Sequence, residues 1–397
     1  MDTLRAAYES YVMPTYGRYD LDIVRGSGSV VEDSSGRKYL DFGGGIAVCS
    51  LGHAHPEVTR AVSEQAATLV HTSNLYRTGP QAKLAERLVE ITGPGKVFFC
   101  NSGAEANEGL IKLSRKFGSV SGRHEMVTFQ NSFHGRTMAC ISATGQGKVK
   151  EGFAPLLEGF RHLPFGDLEK VREAIEPETV AILVEPVQGE GGIHLAGGDF
   201  LLGLRKICDE CGMLLFFDEV QCGLGRTGEL CGWKALAPEI QPDGVSWAKG
   251  IANGFPLGAF WISDKSMDDR GPLCNLLGPG SHGTTYGGNP VCCAAGLAVL
   301  DVIERDGLLA HTRAMGGRLA AALRAGGVGV RGVGLMLGVL MPDGVTARDF
   351  VLRLHERGLL AVVAGDSVVR LLPPLNVTPE EIDRAVSIVL DVFASLR

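Results

Sequence analysis

Residues Met213–Glu219 read MLLFFDE, and residues Gly244–Lys249 read GVSWAK. Both segments are short apolar runs that end in charged side chains. A continuous apolar run of this length is typical of a strand that is buried on both faces of a sheet. Because a charged group is costly to bury unless it is paired, the acids and the lysine at these strand ends are candidates for function.

Other short apolar runs alternate with helical segments through the middle of the chain. This alternation predicts a mostly parallel sheet that helices cover on both faces, which is a three-layer α/β domain. The predicted strands span Lys96–Cys100, Glu125–Gln130, Val180–Val184, Met213–Phe217 and Gly244–Ala248, and the predicted helices between them span Glu105–Phe117 and Phe200–Cys211.

The sequence changes in character after Pro290. Asn289 can cap a helix that begins at Pro290 and is predicted to reach about Glu304. A segment rich in glycine and valine, two more helices and a short strand at Val368–Leu371 complete a smaller α+β lobe. We expect an N-terminal segment, 1–52, that packs with the small domain, a large domain, 53–288, and a C-terminal small domain, 289–397.

Length and composition are those of an ordinary globular protein. Of the 397 residues, 45% are hydrophobic and 21% are charged. The net charge is -7 and there is no run of lysine and arginine, which argues against a nucleic-acid partner. No apolar run approaches the roughly 20 residues that span a bilayer, and the first residues do not resemble a secretory signal.

Ten cysteines are spread through the chain, several of them inside apolar runs. A thiol in such a run behaves as a small hydrophobic group. Cys208 and Cys211 form a C-x-x-C pair, but no second pair lies at zinc-ribbon spacing, so a structural role is favoured over a metal or redox role. We predict no metal site, and the cysteine pattern is typical of a reducing cytoplasm.

The segment Asn101–Glu108 follows the first predicted strand. Ser102 and Glu105 have the spacing of a capping box that begins a helix. The small residues Gly103 and Ala104 leave the backbone N–H groups of the first turn uncrowded, and such a helix N-terminus suits a phosphate. An ordinary capped helix without a ligand explains the same residues.

Three further strand ends carry aromatic or charged groups. Phe133 could stack on a flat ring and Arg136 could hold a carboxylate, although a core aromatic and a surface arginine would look the same. Asp218 could pair with a protonated pyridine nitrogen, and a metal-binding Asp–Glu pair is the alternative. Lys249 is either a solvated lysine or a nucleophile whose pKa is lowered by burial.

Two glycine-rich loops complete the candidate segments, Glu185–Gly192 and Gly280–Pro290. The glutamates of the first loop could pair with arginines near a substrate, and the hydroxyls of the second suit a phosphate. The chain has no G-x-x-x-x-G-K-[ST] loop, and no G-x-G-x-x-G fingerprint opens a predicted helix. These absences argue against P-loop and nicotinamide-dinucleotide enzymes.

Taken in order, these segments resemble the class III, or ω-type, aminotransferases, which use pyridoxal 5′-phosphate (PLP) and have PLP fold type I. The resemblance extends from about Tyr16 to Val392. It implies a large domain with a three-layer, mostly parallel sheet and a smaller α+β domain built from both termini. Its most specific motifs are Asn101–Glu108, Phe133–Arg136, Glu185–Gly192, Asp218–Gly228, Ala248–Gly258 and Gly280–Pro290.

The resemblance implies roles for individual residues in binding PLP. Lys249 would bind the cofactor covalently and later move a proton between carbon atoms, while Asp218 would pair with the pyridine nitrogen. Gln221 would contact the phenolic oxygen of the ring, and Phe133 would stack on the ring. The phosphate end would be held by Ser102, Gly103, Ala104 and, from a second subunit, Thr285. Many relatives have threonine in place of Ala104, so one possible hydroxyl contact is missing here.

The resemblance also implies a substrate site. Arg136, with Thr284 nearby, would hold the α-carboxylate of the substrate. Arg370 would pair with Glu190 while a terminal amine reacts, and would be released to bind a carboxylate of glutamate or 2-oxoglutarate. The implied enzyme is a homodimer with shared active sites.

The implied activity is transfer of the terminal amino group between N-acetylornithine and 2-oxoglutarate, as in arginine biosynthesis. Succinylornithine, succinyl-diaminopimelate intermediates, ornithine, 4-aminobutyrate and carrier-linked lysine remain alternative substrates. The alternative from another class is a non-catalytic binding protein of the same fold. The joint presence of Lys249, Asp218 and the phosphate segment argues against that alternative.

Overall fold

The computed structural model of the chain describes residues 2–396. The strands in this range are β1 (Ile23–Ser27), β2 (Val30–Asp33), β3 (Lys38–Asp41), β4 (Gly95–Cys100), β5 (Glu125–Phe129), β6 (Phe160–Leu163), β7 (Thr179–Val184), β8 (Val187–Gln188), β9 (His194–Leu195), β10 (Leu214–Asp218), β11 (Gly244–Trp247), β12 (Gly258–Ser263), β13 (Val330–Val333), β14 (Met336–Leu340), β15 (Leu359–Leu360), β16 (Val362–Ala364) and β17 (Val368–Leu371). The α-helices are α1 (Asp2–Tyr11), α2 (Gly44–Ala47), α3 (Pro56–Thr68), α4 (Gly79–Thr92), α5 (Gly103–Gly118), α6 (Met138–Ala143), α7 (Leu168–Glu173), α8 (Gly198–Cys211), α9 (Pro290–Arg305), α10 (Leu308–Ala325), α11 (Ala347–Glu356) and α12 (Pro379–Ala394).

A large sheet of seven strands has the order β4-β12-β11-β10-β7-β5-β6. β10 is parallel to β7 and β11, whereas β12 runs antiparallel to β11 and β4. β5 is parallel to β6 and β7, so all strands of this sheet except β12 end at the same edge. At that edge Asp218 lies opposite Ser246 in the register of β10 and β11.

Side chains alternate between the two faces of the large sheet, and helices cover both faces. In β10, Leu214 and Phe216 pack in a cluster with α5, whereas Leu215 and Phe217 pack in a cluster with α8 and α9. All four side chains are completely buried. Because both faces are apolar, the sheet is stable only between two helical layers. The three-layer, mostly parallel α/β fold expected from the sequence is confirmed.

A second sheet, of four antiparallel strands in the order β13-β14-β17-β16, is built from the C-terminal part of the chain. Its core includes side chains of α10, α11 and α12. The N-terminal strand β3 pairs in parallel with β15, so the two ends of the chain meet. By contrast, α9 packs on α3 and α4, and its Val299 and Ile303 belong to the core of the large sheet. The domain boundaries given above remain a prediction.

Strand β12 is an element that the sequence pattern does not predict. Its six residues, GAFWIS, lie inside the large sheet as its antiparallel strand. The segment comes soon after Lys249 and a glycine-containing turn. In the sheet it lies between β11, which precedes it in sequence, and β4, which is far from it in sequence. Local sequence therefore carried no signal for its direction. No helix within residues 2–396 combines the length and apolar character needed to cross a membrane.

The packing of β10 can be tested with two leucines. We expect Leu215→Ala to lower the free energy of unfolding by about 2–5 kcal/mol, because Leu215 is fully buried and its truncation leaves a cavity. Leu202→Ala on α8 is the matched control, because Leu202 is 37% exposed and a surface change should cost less than about 1 kcal/mol. Urea unfolding followed by tryptophan fluorescence measures both losses. Equal losses would contradict the packing described.

Candidate active site

Asp218 ends β10 as a buried carboxylate that three donors hold. Its Oδ2 accepts hydrogen bonds from Asn107 Nδ2, at 2.7 Å, and from His134 Nδ1, at 2.8 Å. Its Oδ1 accepts from the N–H of Val220 at 3.0 Å. Only 3% of the residue is exposed. Hydrogen bonds to a charged group are strong, so these three donors offset the cost of burial and fix the orientation of the carboxylate.

The donors of Asp218 are themselves fixed by neighbours. Asn107 lies in α5, where its Oδ1 accepts from Ser246 Oγ at 2.7 Å and its Nδ2 also donates to the carbonyl of His134 at 2.8 Å. Nε2 of His134 is buried and has no hydrogen-bond partner within residues 2–396. Because Ser246 belongs to β11, this network joins α5, β10 and β11 at their functional ends.

Lys249 follows β11 and begins a short 3-10 turn, Lys249–Ala252. Its φ of 47° is a left-handed conformation that is uncommon for a residue with a side chain, and such strain tends to occur at functional sites. Burial lowers the pKa of the Lys249 amine, while the carboxylates of Glu190 and Asp218 act in the opposite direction. No hydrogen bond or ion pair holds Nζ in the described part of the chain. The amine is therefore not tied to a neighbouring side chain in the described chain.

The start of α5 differs from the expected capping box. Ser102 is the N-cap, and its Oγ accepts a hydrogen bond from the N–H of Glu105 at 3.2 Å. The Glu105 carboxylate, however, accepts from the backbone and side-chain nitrogens of Asn101, at 3.0 and 2.8 Å, and not from Ser102. The prediction was wrong in this half because Asn101 offers two donors to the same oxygen.

The first turn of α5 presents free backbone donors at the edge where the strands end. The N–H groups of Gly103 and Ala104 belong to the first turn and have no partner inside the helix. Gly103 packs against Val220, where an added β-carbon would lie 2.7 Å from a methyl carbon. Because no side chain fits at Gly103, the turn stays open to an anion, as a helix N-terminus allows.

Phe133 and Arg136 lie in the loop after β5. The guanidinium carbon of Arg136 lies 5.4 Å from the centre of the half-buried Phe133 ring. The N–H of Phe133 donates to Glu185 Oε2 at 3.0 Å. Burial, together with the nearby Asp218 charge, raises the pKa of the Glu185 carboxyl well above its ordinary value. Arg136 is exposed and has no ion-pair partner among residues 2–396, so its charge is available to a carboxylate.

Glu190 and Arg370 form an ion pair between the loop after β8 and strand β17. Arg370 Nη1 lies 2.6 Å from Glu190 Oε1, and Nη2 lies 2.9 Å from Oε2. Gln221 lies against the pair, because its Oε1 accepts from Arg370 Nη1 at 2.8 Å. Burial acts to raise the pKa of the Glu190 carboxyl, but the Arg370 charge outweighs it and the pKa lies below its ordinary value. The geometry is that of bidentate carboxylate recognition.

Glu219, the neighbour of Asp218, turns away from it. Its two oxygens accept from the N–H groups of Gly232 and Trp233, at 2.8 and 2.6 Å. Burial raises the pKa of the Glu219 carboxyl to about 7, although these hydrogen bonds oppose the rise. The two acids therefore contact different groups and do not face a common ion. Among residues 2–396 no three His, Cys, Asp or Glu side chains are grouped as metal ligands.

Thr284 and Thr285 lie near the start of α5 but outside the cluster around Lys249. Thr284 Oγ1 accepts a hydrogen bond from Asn101 Nδ2 at 3.0 Å. Thr285 is exposed. In the described chain, no hydrogen bond joins either threonine to Arg136 or to Lys249. An open cavity of about 580 Å³ lies beside this loop.

Residues 11–393 match the sequence family Aminotransferase class-III. The chain belongs to the class III aminotransferases. Acetylornithine aminotransferases from Caldanaerobacter subterraneus and Methanocaldococcus jannaschii are 45% and 42% identical to it, over 98% of this chain and 98% and 97% of theirs. The solved N-acetylornithine aminotransferase of Stenotrophomonas maltophilia is 34% identical, with a TM-score of 0.81 over 96% of this chain and 97% of its own. The ornithine aminotransferase of Toxoplasma gondii, whose structure has PLP at partial occupancy, is 29% identical with a TM-score of 0.92 over 99% and 94%.

Three residues of this candidate site have no distinctive signal of their own in the sequence. Asn107, His134 and Ser246 fix Asp218 directly or through one neighbour. All three lie in segments that were selected because of other residues, such as Gly103, Phe133 and Lys249. Their place in those segments was the only sign in the sequence that they lie at the site. Their contacts depend on the order of strands in the sheet, which the sequence pattern does not specify.

The network around Asp218 predicts a specific cost for removing Asn107 from the aminotransferase. We expect Asn107→Ala to lower the free energy of unfolding by about 2–4 kcal/mol, because it leaves a buried carboxylate short of one donor and the Ser246 hydroxyl without its acceptor. Asn376→Ala is the matched control, because Asn376 makes one hydrogen bond, to the carbonyl of Leu51, outside the site. It should cost about 1 kcal/mol. Thermal and urea unfolding of both variants check this; similar losses would show that the network is not special.

Proposed function

We propose that this aminotransferase moves the terminal amino group between N-acetylornithine and 2-oxoglutarate, giving an acetylated semialdehyde and glutamate, with PLP as its cofactor. The observation that carries the proposal is the Glu190–Arg370 pair, whose charges act on the Lys249 amine. In the pair, Glu190 occupies the guanidinium of Arg370. Glutamate needs that guanidinium for a carboxylate, whereas a substrate that reacts through its terminal amine does not. The acetylornithine aminotransferases at 42–46% identity support the choice of amino donor.

The residues present fit PLP at both of its ends. The phosphate would be held by the free N–H groups of Gly103 and Ala104, beside the N-cap Ser102. Asp218 would face the pyridine nitrogen, since its carboxylate is fixed and buried at the same edge of the sheet. The half-buried ring of Phe133 would cover the cofactor ring. PLP, when bound, supplies an electron sink for negative charge on the carbon that carries the amino group.

Gln221 has a role in the proposal that differs from a simple cofactor contact. The resemblance assigned it to the phenolic oxygen of the ring. In the structure it donates from Nε2 to Glu190 Oε1 at 3.3 Å and accepts from Arg370 Nη1. We propose that it connects the cofactor end of the site with the Glu190–Arg370 pair.

Lys249 would act first as the cofactor-binding amine and then as the base. Its lowered pKa favours the neutral amine, which is the nucleophilic form. Once released, Nζ would accept a proton from the carbon that carries the substrate amino group and return it to the other reacting carbon. A positioned general base of this kind contributes roughly 10²–10⁴-fold to a rate.

Arg136 and Arg370 would orient the two substrates differently. The exposed, unpaired guanidinium of Arg136 would bind the α-carboxylate of N-acetylornithine, whose terminal amine then reaches the site. During that half-reaction Glu190 stays on Arg370 and neutralises it. Glutamate reacts at its α-amine, so its α-carboxylate would displace Glu190 and occupy Arg370. This exchange lets one site accept two substrates of different charge.

We also propose a homodimer in which Thr285 reaches the partner's cofactor phosphate. Thr285 is exposed in its own subunit, as are the neighbouring large side chains of Leu75, Tyr76 and Tyr286 at 88%, 69% and 64%. Exposed apolar groups concentrated in one place are typical of an interaction surface. We place the enzyme in the cytoplasm, which agrees with ten cysteines that are all free thiols.

The exchange at Arg370 predicts opposite effects for two variants. Arg370→Ala should lower kcat/KM for glutamate by about 30-fold or more, since losing a buried bidentate partner costs about 2 kcal/mol or more, and should affect N-acetylornithine less. Glu190→Gln should lower the KM for glutamate, because nothing charged competes for Arg370, and should impair N-acetylornithine. Half-reaction kinetics with each amino donor measure both. Normal glutamate turnover by Arg370→Ala would contradict the proposal.

A further inference from the structure

Arg331 and Arg370 lie in one row across the second sheet. Arg331 in β13 is opposite Gly338 in β14, and Gly338 is opposite Arg370 in β17. Residues directly opposite each other in neighbouring strands project from the same face of a sheet. The two arginine side chains therefore leave the same face, and the residue between them has no side chain.

The loop that carries Glu190 fills the gap between the two arginines. Ile193 lies over Gly338, where an added β-carbon would be 3.1 Å from the β-carbon of Ile193. Arg370 contacts the loop through two hydrogen bonds to the Glu190 carboxylate. The loop is thus in contact with every position of the row, and a side chain at Gly338 would crowd both Ile193 of the loop and Val368 of β17.

Arg331 holds the far half of the same loop with two hydrogen bonds. Its Nε donates to the carbonyl of Gly192 at 2.7 Å, and its Nη2 donates to His194 Nε2 at 3.1 Å. Gly192 has a φ of 114°, and a β-carbon there would lie 2.8 Å from Arg331 Nη2. A residue with a side chain in place of Gly192 would therefore have a strained backbone and would crowd the Arg331 guanidinium. Neither contact involves an acid: one partner is a backbone carbonyl and the other is the His194 ring, so Arg331 holds the loop without pairing with a negative charge.

We infer that Arg331 is a positioning residue that sets how readily Arg370 exchanges Glu190 for a substrate carboxylate. By fixing Gly192 and His194, it presents the Glu190 carboxylate to Arg370 in the paired geometry. Because the loop is already ordered, the closed state, in which Glu190 is paired with Arg370, forms with little further loss of conformational entropy. The pair opens when only the Glu190 side chain turns away. The inference rests on the proposed function, because it assumes that Arg370 receives a substrate carboxylate.

The direction of the effect follows from competition for one guanidinium. Glu190 and the carboxylate of glutamate compete for Arg370, so anything that loosens the Glu190 loop adds an ordering cost to the closed pair. The open state then gains population, and ligands that need Arg370 bind more tightly. N-Acetylornithine, which needs the closed pair, binds less well.

The test is Arg331→Lys in the holoenzyme. Lysine keeps the positive charge but cannot make both contacts in the planar arrangement of a guanidinium. We expect the ratio of kcat/KM for glutamate to kcat/KM for N-acetylornithine to rise about fivefold or more, mainly through the two KM values. In calorimetry, glutarate should bind about fivefold more tightly, whereas valerate, which has one carboxylate, should bind as in the unaltered enzyme.

Arg324→Lys is the matched control. Arg324 donates to the carbonyl of Val330, next to Arg331 in sequence, at 3.1 Å and does not contact the Glu190 loop. It should leave the ratio unchanged. His194→Ala removes only one of the two Arg331 contacts and should give a smaller shift in the same direction, which keeps the inference testable if Arg331→Lys does not fold.

An unchanged ratio, or an equal loss for both substrates and both carboxylates, would overturn the inference, because a merely structural role affects all four together. If Arg331→Lys has no effect while Arg370→Ala and Glu190→Gln show their opposite effects, the inference is wrong and the proposed function stands. If those two variants also show no difference between substrates, the proposed function itself fails.

Discussion

The site depends on one buried negative charge, the Asp218 carboxylate, which stays fixed at the end of β10. A carboxylate in the interior without partners costs several kcal/mol. Here it is compensated by donors from α5, from the loop after β5 and from its own turn. The same contacts hold those three parts of the chain together. The position of Lys249 is fixed by the neighbouring strand, which the network reaches through Ser246.

A second ionic interaction, between Glu190 and Arg370, connects the β8–β9 hairpin, which follows β7 of the large sheet, with the second sheet. The two interactions have different purposes in the proposed enzyme. The first is fixed, because three donors hold Asp218 and one of them, Asn107, is itself hydrogen-bonded to Ser246 and to the carbonyl of His134. The second is an exchangeable pair that a substrate carboxylate can replace with equivalent chemistry. Reactivity is thus assigned to the rigid sheet edge and selectivity to a loop held between two arginines of the second sheet.

Local pattern was sufficient to predict the two strands whose ends carry Asp218 and Lys249, because each is a mainly apolar run followed by a charged residue. It could not predict β12 or the hydrogen bonds of Asn107 and His134 to Asp218, which join residues 111 and 84 positions apart. The Glu190–Arg370 pair spans 180 positions and was expected only from the family resemblance. Contacts of this range depend on strand order, which composition and periodicity do not determine.

The most direct test of the central claim follows the absorbance of PLP bound to the purified protein while single amino donors are added. The account predicts that N-acetylornithine and glutamate change the PLP spectrum rapidly, that ornithine and 4-aminobutyrate change it slowly, and that Lys249→Ala abolishes the rapid change. A faster reaction with another terminal amine would retain the transaminase and contradict the substrate. A Lys249→Ala protein that reacts like the unaltered one would contradict the assignment of the site itself.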